Sequence, residues 1–320
     1  MNEYGQGSHE MSELPTSFKP LRKPIEKKID ETLETNFDRD EANQIIKYMF
    51  KTGGKRCRPL LVALSTQALG GDFEESLDAA AAIEIIHAAT LVFDDLIDKD
   101  QVRRGVPTIH MAFSNEKAIT SGLFLASKGV QLLADYKNPE IMRMVGSALV
   151  DISKGELLDI LSNVSASVNE YVAIADLKTA SLFGTASGIG AAIAGAQGRD
   201  LVTMQKFGRS SGMAFQIRDD ILDFRNGSSE LTISGPNIVT SHLLHEAARP
   251  NNHSGLLNPK KKTSNSKMLR AVKDAGSLDF AEERAKEYAK TAKETLNSVK
   301  RLRNRRILEE YADYLWKRKD

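Results

Sequence analysis

The sequence predicts an all-α protein that folds as one large domain. Apolar residues recur three and four positions apart through almost the whole 320-residue chain, which is the spacing of one helix face. No series of alternating β-branched runs separated by turns appears, so a sheet is not expected. Hydrophobic residues make up 41% of the chain and are spread along its length, which favours a single sizeable core.

The same periodicity predicts, to within a few residues, where each helix lies. In chain order the predicted helices cover residues 18–35, 40–51, 56–69, 75–98, 115–135, 138–162, 169–181, 182–196, 198–224, 238–248, 267–276 and 278–318. Residues 1–14 are predicted to be disordered and residues 15–320 to form the folded domain. Segments 226–236 and 249–267 contain Gly, Ser, Pro and Lys and are predicted to be surface loops.

Composition and charge exclude several classes of function. The 44 basic and 43 acidic residues nearly cancel, so no overall field points to nucleic acid or to an anionic membrane surface. The most apolar stretch, Leu182–Ala196, is shorter than the ~20 residues that span a bilayer and predicts a close-packed interior helix. A single cysteine, Cys57, excludes an internal disulfide, and the polar residues 1–19 contain no apolar signal core. We therefore expect a cytoplasmic enzyme.

Two similar acidic motifs, in residues 91–98 and 215–223, are the strongest functional signal. Each places three carboxylates near the end of an apolar helix: Asp94, Asp95 and Asp98 in the first, and Asp219, Asp220 and Asp223 in the second. Like charges one turn apart repel, and negative charge late in a helix is unfavourable. A nearby lysine or arginine would explain one copy structurally, but two copies are harder to explain that way. Such oxygen ligands suit Mg²⁺ that bridges to phosphate, and therefore predict a diphosphate site.

Basic pairs close to these motifs are candidates for holding phosphate. Lys55 and Arg58 lie between a glycine pair and a helix start, where free backbone donors also favour anions. Arg103 and Arg104 follow the first acidic helix. Each pair alone is typical of a solvated surface. Together with two carboxylate sites, the pairs predict clamps for two phosphorylated substrates.

Polar residues inside apolar segments add to this set. His87 lies two turns before Asp94 on the same helix face, although a lone histidine there is more often a core residue. Lys178 and Thr179 interrupt an apolar stretch, and Gln216 belongs to the second acidic helix. His87, Lys178 and Thr179 are predicted to direct a polar group at phosphate, and Gln216 adds a neutral polar group.

In kind and in order, these residues resemble the trans-isoprenyl diphosphate synthase, or polyprenyl synthetase, family. The resemblance runs from about residue 18 to residue 224 and rests on Gly53–Pro59, Asp94–Arg104, Lys178–Thr179 and Phe215–Asp223. It implies a single-domain antiparallel helical bundle around a deep central cavity, the isoprenoid synthase fold, usually as a homodimer. It also implies isopentenyl diphosphate and an allylic diphosphate as substrates and Mg²⁺ as the cofactor.

The resemblance carries roles onto individual residues. The residues implied to bind Mg²⁺ are Asp94, Asp98 and Asp219, with Asp95, Asp220 and Asp223 in support. Those implied for isopentenyl diphosphate are Lys55, Arg58, His87 and Arg104. Those implied for the allylic diphosphate are Arg103, Lys178, Thr179 and Gln216. Loss of diphosphate from the allylic substrate, attack by the isopentenyl double bond and loss of a proton then complete the implied reaction.

Three departures from the family pattern accompany this match. Residues 224–236 are shorter than the usual segment after the second motif and lack its lysine and proline pair. Leu123 follows Gly122 where the family often has aspartate. In Gly155–Asp159 the glutamine that usually follows the glycine and glutamate is replaced.

Product length is predicted from the residues one and two turns before Asp94, which would form the floor for the growing chain. These are Thr90, Ala89 and Ile86, with Ile83 as a further candidate stop. Ala89 is small where a bulky aromatic would block a product of three isoprene units. We therefore expect a product of four units or more.

Two alternatives stay open at this stage. The chain is also compatible with a non-catalytic subunit that partners an active synthase in a heteromer. It is also compatible with a terpene cyclase or head-to-head condensing enzyme, although such enzymes lack the Gly53–Pro59 isopentenyl site. An assay of the isolated chain would separate these alternatives from an elongating synthase.

Overall fold

The computed structural model describes residues 14–34, 37, 39–50, 53–162, 166–225, 236–248 and 265–319. The predicted disorder of the N-terminus therefore lies outside the described residues, apart from Leu14. Most of the two predicted surface loops, including the shortened segment after the second acidic motif, also lies outside them.

The described chain is almost entirely helical, which confirms the predicted fold class. The α-helices are α1 (Lys19–Thr32), α2 (Asp40–Tyr48), α3 (Cys57–Ala68), α4 (Phe73–Asp98), α5 (Ile109–Ala112), α6 (Asn115–Ala134), α7 (Pro139–Leu161), α8 (Val168–Ala175), α9 (Ser181–Ile193), α10 (Gly198–Arg225), α11 (Ile238–Ala247), α12 (Asn265–Asp274), α13 (Ser277–Thr295) and α14 (Arg305–Lys317). A π-helical turn, Asp176–Ala180, joins α8 to α9, and a 3₁₀ turn, Leu296–Ser298, follows α13. Two short strands, β1 (Val102–Arg103) and β2 (Val106–Pro107), form an antiparallel hairpin after α4.

The predicted helix 278–318 is wrong in one respect, because the structure divides it into α13 and α14. Val299 adopts an extended backbone conformation, and the Asn304 side chain caps α14 by accepting a hydrogen bond from the Ile307 amide. At this break, the backbone amides of Arg303 and Asn304 both donate to the Ala68 carbonyl at the end of α3. The break thus satisfies a helix terminus elsewhere in the bundle.

The core is built around α4 and α9. Helix α4 is long and apolar enough to cross a membrane, but 72% of its most apolar window is buried in the bundle, as in a core helix. Helix α9 is the close-packed interior helix that the sequence predicts. A Cβ built on its Gly190 would lie 2.2 Å from the Val62 carbonyl oxygen, so glycine is required for α3 to approach.

Candidate active site

Most of the predicted phosphate and metal residues line one cavity of about 340 Å³, where α4 and α10 end. Its apolar wall includes Leu91, Ile152, Ile174, Leu182 and Phe215. The predicted residues in its lining are Arg58, His87, Thr90, Asp94, Arg103, Arg104, Lys178, Thr179, Gln216 and Asp219. The structure therefore brings together segments that are far apart in the sequence.

The three carboxylates of the first motif point in two directions. Asp94 lines the cavity, and burial raises its pKa to about 7 against the opposing effect of Lys178. Burial also raises the pKa of Asp98, one turn later on the same face. Asp95 is only 1% exposed and binds the Arg103 side chain at 2.5 Å instead. Asp95 is therefore paired with a nearby arginine, which explains this carboxylate structurally. Among the described residues, Asp94 has no such ion pair at hydrogen-bonding distance.

Lys178 stands opposite Asp94 on the π-helical turn. Its ammonium group lies 2.7 Å from both Glu156 and Asp159 of α7. Burial alone would lower the pKa of Lys178, but Asp94 and the two α7 carboxylates together raise it, so the side chain stays charged. A Cβ on Gly155 would lie 2.7 Å from the Lys178 amide nitrogen, so this glycine lets α7 reach the turn. Single π-helical turns are common at functional sites.

The second motif is also divided between the cavity and the protein interior. Asp219 faces the cavity, where it lies 3.9 Å from the Lys55 ammonium group. Asp220 faces away, accepting hydrogen bonds from the Ile238 amide at 3.1 Å and from Gln216 at 2.9 Å. Burial raises the pKa of Asp220 to about 7. Asp220 therefore anchors the start of α11, a structural role that its place in the motif does not reveal.

Arg58 and His87 form the basic side of the cavity. The Arg58 guanidinium stacks 4.5 Å from the Phe183 ring centre and 5.7 Å from that of Phe215. Its Nη1 lies 3.1 Å from Nε2 of His87, and because a guanidinium can only donate, Nε2 is the acceptor. Burial, reinforced by Arg58 and Arg104, lowers the pKa of His87 well below its usual value. His87 is therefore neutral near pH 7.

A buried ion pair that the sequence analysis missed supports this side. Arg56 takes a left-handed backbone conformation, φ 52°, at the start of α3, and its Nη1 binds Glu84 of α4 at 2.7 Å. Both side chains are 8% exposed. The pair fixes the segment between Lys55 and Arg58. Glu84 is the single acidic residue in the apolar segment 79–93 of α4, and this was the available signal.

Arg318, two residues from the end of the chain, is the second missed residue. Its side chain is fully buried, and its Nη2 lies 2.5 Å from Asp219 and donates to the Phe215 carbonyl at 3.0 Å. The Arg318 guanidinium lies over the Phe215 ring, 3.9 Å from its centre. Its Nη1 is buried and has no hydrogen-bond partner among the described residues. Nothing in the charged C-terminal sequence distinguishes Arg318 from the arginines around it.

Of the three predicted chain-length residues on α4, only Thr90 reaches the cavity. Thr90 lines the cavity, whereas Ala89 and Ile86 are each 1% exposed and do not belong to its lining. Consecutive helix residues point about 100° apart, so Ala89 cannot share the direction of Thr90. The role of Ala89 and Ile86 in chain length stays a prediction.

The carboxylates fit a metal that is bound together with its substrate. Among the described residues, no three His, Cys, Asp or Glu side chains converge to form a complete metal site on their own. Asp94 of α4 and Asp219 of α10 line the cavity, whereas Asp98 and Asp223, one turn later on each helix, do not belong to its lining. Mg²⁺ usually takes one or two protein carboxylates and completes its shell with water and phosphate oxygens. The arrangement matches that preference.

Comparison with known proteins gives consistent matches. Residues 39–235 match the family model described as polyprenyl synthetase. The geranylgeranyl pyrophosphate synthase of Geoglobus acetivorans is 31% identical over 94% of this chain and 98% of its own, and its solved structure superposes with a TM-score of 0.82. The geranylfarnesyl diphosphate synthase of Natronomonas pharaonis is 31% identical over 85% of this chain and 88% of its own.

One solved structure was determined with ligands. The polyprenyl synthase of Caulobacter crescentus, complexed with calcium and isoprenyl diphosphate, is 25% identical with a TM-score of 0.81. The match covers 94% of this chain and 96% of that one. The predicted resemblance and the antiparallel bundle it implied are therefore confirmed.

Proposed function

The chain belongs to the polyprenyl synthetase family and is a prenyltransferase, and we propose that it condenses isopentenyl diphosphate with an allylic diphosphate in a Mg²⁺-dependent reaction. The product is a trans-polyprenyl diphosphate longer than C15. One observation carries this proposal. A single cavity joins Asp94 and Asp219, one from each acidic motif, to Lys178 on one side and to Arg58 and His87 on the other.

The allylic diphosphate occupies the space between the two acidic helices. Asp94, Asp98 and Asp219 would hold Mg²⁺, with Asp223 beside them, and bound Mg²⁺ supplies positive charge for the departing diphosphate. The Caulobacter relative, solved with calcium and isoprenyl diphosphate, supports a divalent cation in this place. Lys178 contributes a fixed positive charge. Thr179 contributes a hydroxyl that donates to Gln216 at 2.8 Å and is therefore already oriented.

Isopentenyl diphosphate occupies the basic side. Lys55, Arg58 and Arg104 supply charge, and neutral His87, whose Nε2 accepts a hydrogen bond from Arg58, supplies the N–H of its Nδ1. The stacking of Arg58 on Phe183 and Phe215 fixes its guanidinium plane, which favours bidentate binding of phosphate oxygens. The diphosphates of the two substrates are then held apart, with their hydrocarbon parts meeting between them.

The chemistry requires no protein nucleophile. The bond between the allylic carbon and the diphosphate oxygen breaks, and its electron pair leaves with diphosphate. The isopentenyl double bond attacks the allylic carbon, and the adjacent carbon loses a proton, which the released diphosphate accepts. The residues of this chain bind the two diphosphates and stabilise the charge that develops. The apolar wall, including Leu91 and Leu182, keeps water away from the cation.

The product is proposed to contain four or more isoprene units. Thr90, which lines the cavity, and Ala89 beside it are too small to stop a chain of three units. The named products of the Geoglobus and Natronomonas relatives, geranylgeranyl and geranylfarnesyl diphosphate, support this range. Ala89→Phe is expected to shorten the product, and an unchanged chain length in that variant would contradict this assignment.

The active form is proposed to be a cytoplasmic homodimer. Several large apolar side chains are exposed on the adjacent helices α6 and α7, among them Leu123, Val150, Leu157 and Leu161, whose exposed fractions are 52% to 81%. A surface of this kind is typical of a protein contact. A second copy is the proposed occupant, and sedimentation of the purified chain tests it. A heteromer with a different subunit is the alternative.

The experiment that tests the proposed function is incubation of the purified chain with Mg²⁺, labelled isopentenyl diphosphate and geranyl, farnesyl or geranylgeranyl diphosphate. Chromatography of the dephosphorylated products gives their length. Extended prenols support the proposal. No product from any primer would contradict it and favour the partner-subunit alternative, for which the replaced residues in Gly155–Asp159 and the shortened segment after Asp223 are the motivating observations.

A further inference from the structure

Two glycines on α6 receive two bulky side chains of α4 at matching intervals. Gly122 and Gly129 are seven residues apart, as are Phe93 and Ile86. A Cβ built on Gly122 would lie 2.8 Å from the Phe93 ring, and a Cβ built on Gly129 would lie 2.6 Å from Cγ1 of Ile86. The antiparallel order pairs the earlier glycine with the later side chain. Each side chain thus fills the space that a missing Cβ leaves on α6.

These side chains belong to a different stripe of α4 from the one that faces substrate. His87, Thr90 and Asp94 recur at three and four residues and line the cavity. Ile86 precedes Thr90 by four residues, so it lies one turn deeper and only about 40° around the helix axis. The Ile86 side chain therefore stands at the border between the path of the growing chain and the surface of α6.

We propose that Gly129 determines product length, because it holds Ile86 against α6 and out of the path of the growing chain. This inference rests on the proposed function, since it concerns the same cavity. Gly129 touches no substrate in this account and acts through Ile86, so it is a positioning residue. Ile86 then limits the chain only when the space at Gly129 is closed.

The geometry indicates what a methyl group at position 129 would displace. Besides Ile86, the nearest atom to the added Cβ is the Ala82 carbonyl oxygen at 2.9 Å. That carbonyl is fixed in the backbone of α4, so the Ile86 side chain is the part that moves. Because Ile86 lies about 40° around the α4 axis from Thr90, which lines the cavity, we infer that a side chain displaced from α6 turns toward the cavity side of the helix. One helix turn, about 5.4 Å, corresponds to roughly one isoprene unit of chain.

The test compares product distributions of the parent chain, Gly129→Ala, Gly146→Ala and the double variant Gly129→Ala/Ile86→Ala. Gly146 is the matched control, because it lies within α7 and an added Cβ there meets nothing within 4 Å. For Gly129→Ala we expect the ratio of the longest parent product to the product one unit shorter to fall by about tenfold or more. Gly146→Ala should leave that ratio unchanged, and the double variant should restore it. Loss of long products without restoration, or no change in Gly129→Ala, would overturn the inference.

A second variant keeps the inference testable if Gly129→Ala does not fold. Ile86→Phe leaves Gly129 in place but is too large for the space on α6, so it should also shorten the product. An unchanged length in that variant would count against the inference.

A binding measurement separates this inference from the proposed function. If the parent extends no primer, the proposed function fails, and the affinities of geranyl, farnesyl and geranylgeranyl diphosphate are measured directly. Gly129→Ala should then weaken binding of the longest of these by about tenfold while leaving geranyl diphosphate unchanged. Equal weakening of all three, or of none, would contradict the role of Gly129.

Discussion

The ends of α4 and α10 carry almost the same acidic motif but differ in how their charge is balanced. At the end of α4, Asp94 stands opposite Lys178, which is already bound by Glu156 and Asp159. At the end of α10, Asp219 is bound by Arg318 and approached by Lys55. The first site therefore holds excess negative charge before any ligand arrives, and the second does not. Similar sequences thus give a cation-seeking site and a pre-neutralised one.

This difference suggests a division of labour between the two sites. The excess charge at α4 makes it the stronger attractor for Mg²⁺, because unpaired carboxylates gain most from a metal. At α10 an arriving cation must share Asp219 with Arg318. We therefore expect substitutions at the first site to have the largest effects on catalysis, and substitutions around the second to change mainly the metal requirement.

The largest expected effect is that of Asp94→Ala. Removing the cavity-facing carboxylate of the cation-seeking site should lower kcat/KM by about 10²–10³-fold, measured by incorporation of labelled isopentenyl diphosphate. Asp135→Ala, at the exposed end of α6, is the matched control and should keep the parent rate. If Asp94→Ala and the control showed comparable rates, the Asp94 carboxylate would not contribute to catalysis.

A smaller loss is expected for Gly155→Ala. The added methyl would lie 2.7 Å from the Lys178 amide and would push the π-helical turn away from α7. Misplacing Lys178 relative to Asp94 should lower kcat by roughly tenfold with little change in KM for isopentenyl diphosphate, which binds on the other side. Gly146→Ala is again the control. If Gly155→Ala raised only the KM for isopentenyl diphosphate, the π-helical turn would act on that substrate and not on the allylic diphosphate.

The second site is tested by Arg318→Gln. Because Arg318 competes with a cation for Asp219, its neutralisation should lower the Mg²⁺ concentration for half-maximal rate by about threefold to tenfold. Lys317→Gln, next to it but exposed and paired with Asp313, should not change the Mg²⁺ requirement. An increased requirement in Arg318→Gln would mean that this arginine assists the metal instead of opposing it.

The smallest expected effect concerns stability without metal. Burial raises the pKa of Asp94 in the folded protein to about 7 from its ordinary value of 3.8. Such a group stabilises the fold below its unfolded pKa, and this contribution is lost as the pH rises through the folded value. Metal-free parent protein should therefore lose stability between about pH 4 and pH 7 relative to Asp94→Asn. At pH 8 the Tm of Asp94→Asn should exceed that of the parent by roughly 2–4 °C for each kcal/mol of unfolding free energy that the substitution restores. Identical pH profiles for both proteins would contradict the account of the first site.

The sequence predicted the fold class and most cavity residues because those depend on local patterns. Apolar spacing identifies helices, and paired aspartates near helix ends identify a site that needs cations. The orientations of Asp95 and Asp220 could not be predicted, because facing the cavity or the interior depends on tertiary partners, Arg103 for one and the Ile238 amide for the other. The family resemblance gave Asp95 and Asp220 a supporting role but did not identify these partners.

Residues whose function depends on long-range packing were missed for the same reason. Arg318 lies about 100 residues beyond the second motif, among similar arginines, and only the docking of α14 against α3 and α10 brings it to Asp219. The π-helical turn at Lys178 looks like ordinary helix in the sequence. Gly129 is one of many glycines, and its relation to Ile86 appears only when α6 is placed against α4.

We expect both acidic helices to bind Mg²⁺ together with one allylic diphosphate. Calorimetric titration of Mg²⁺ into the chain, with and without a non-ionisable farnesyl thiodiphosphate, tests it most directly. We expect Mg²⁺ alone to bind weakly and to bind at least tenfold more tightly when the analogue is present. Both Asp94→Ala and Asp219→Ala should lose this increase in affinity. Mg²⁺ binding that is indifferent to the analogue, or that persists unchanged in Asp219→Ala, would contradict it.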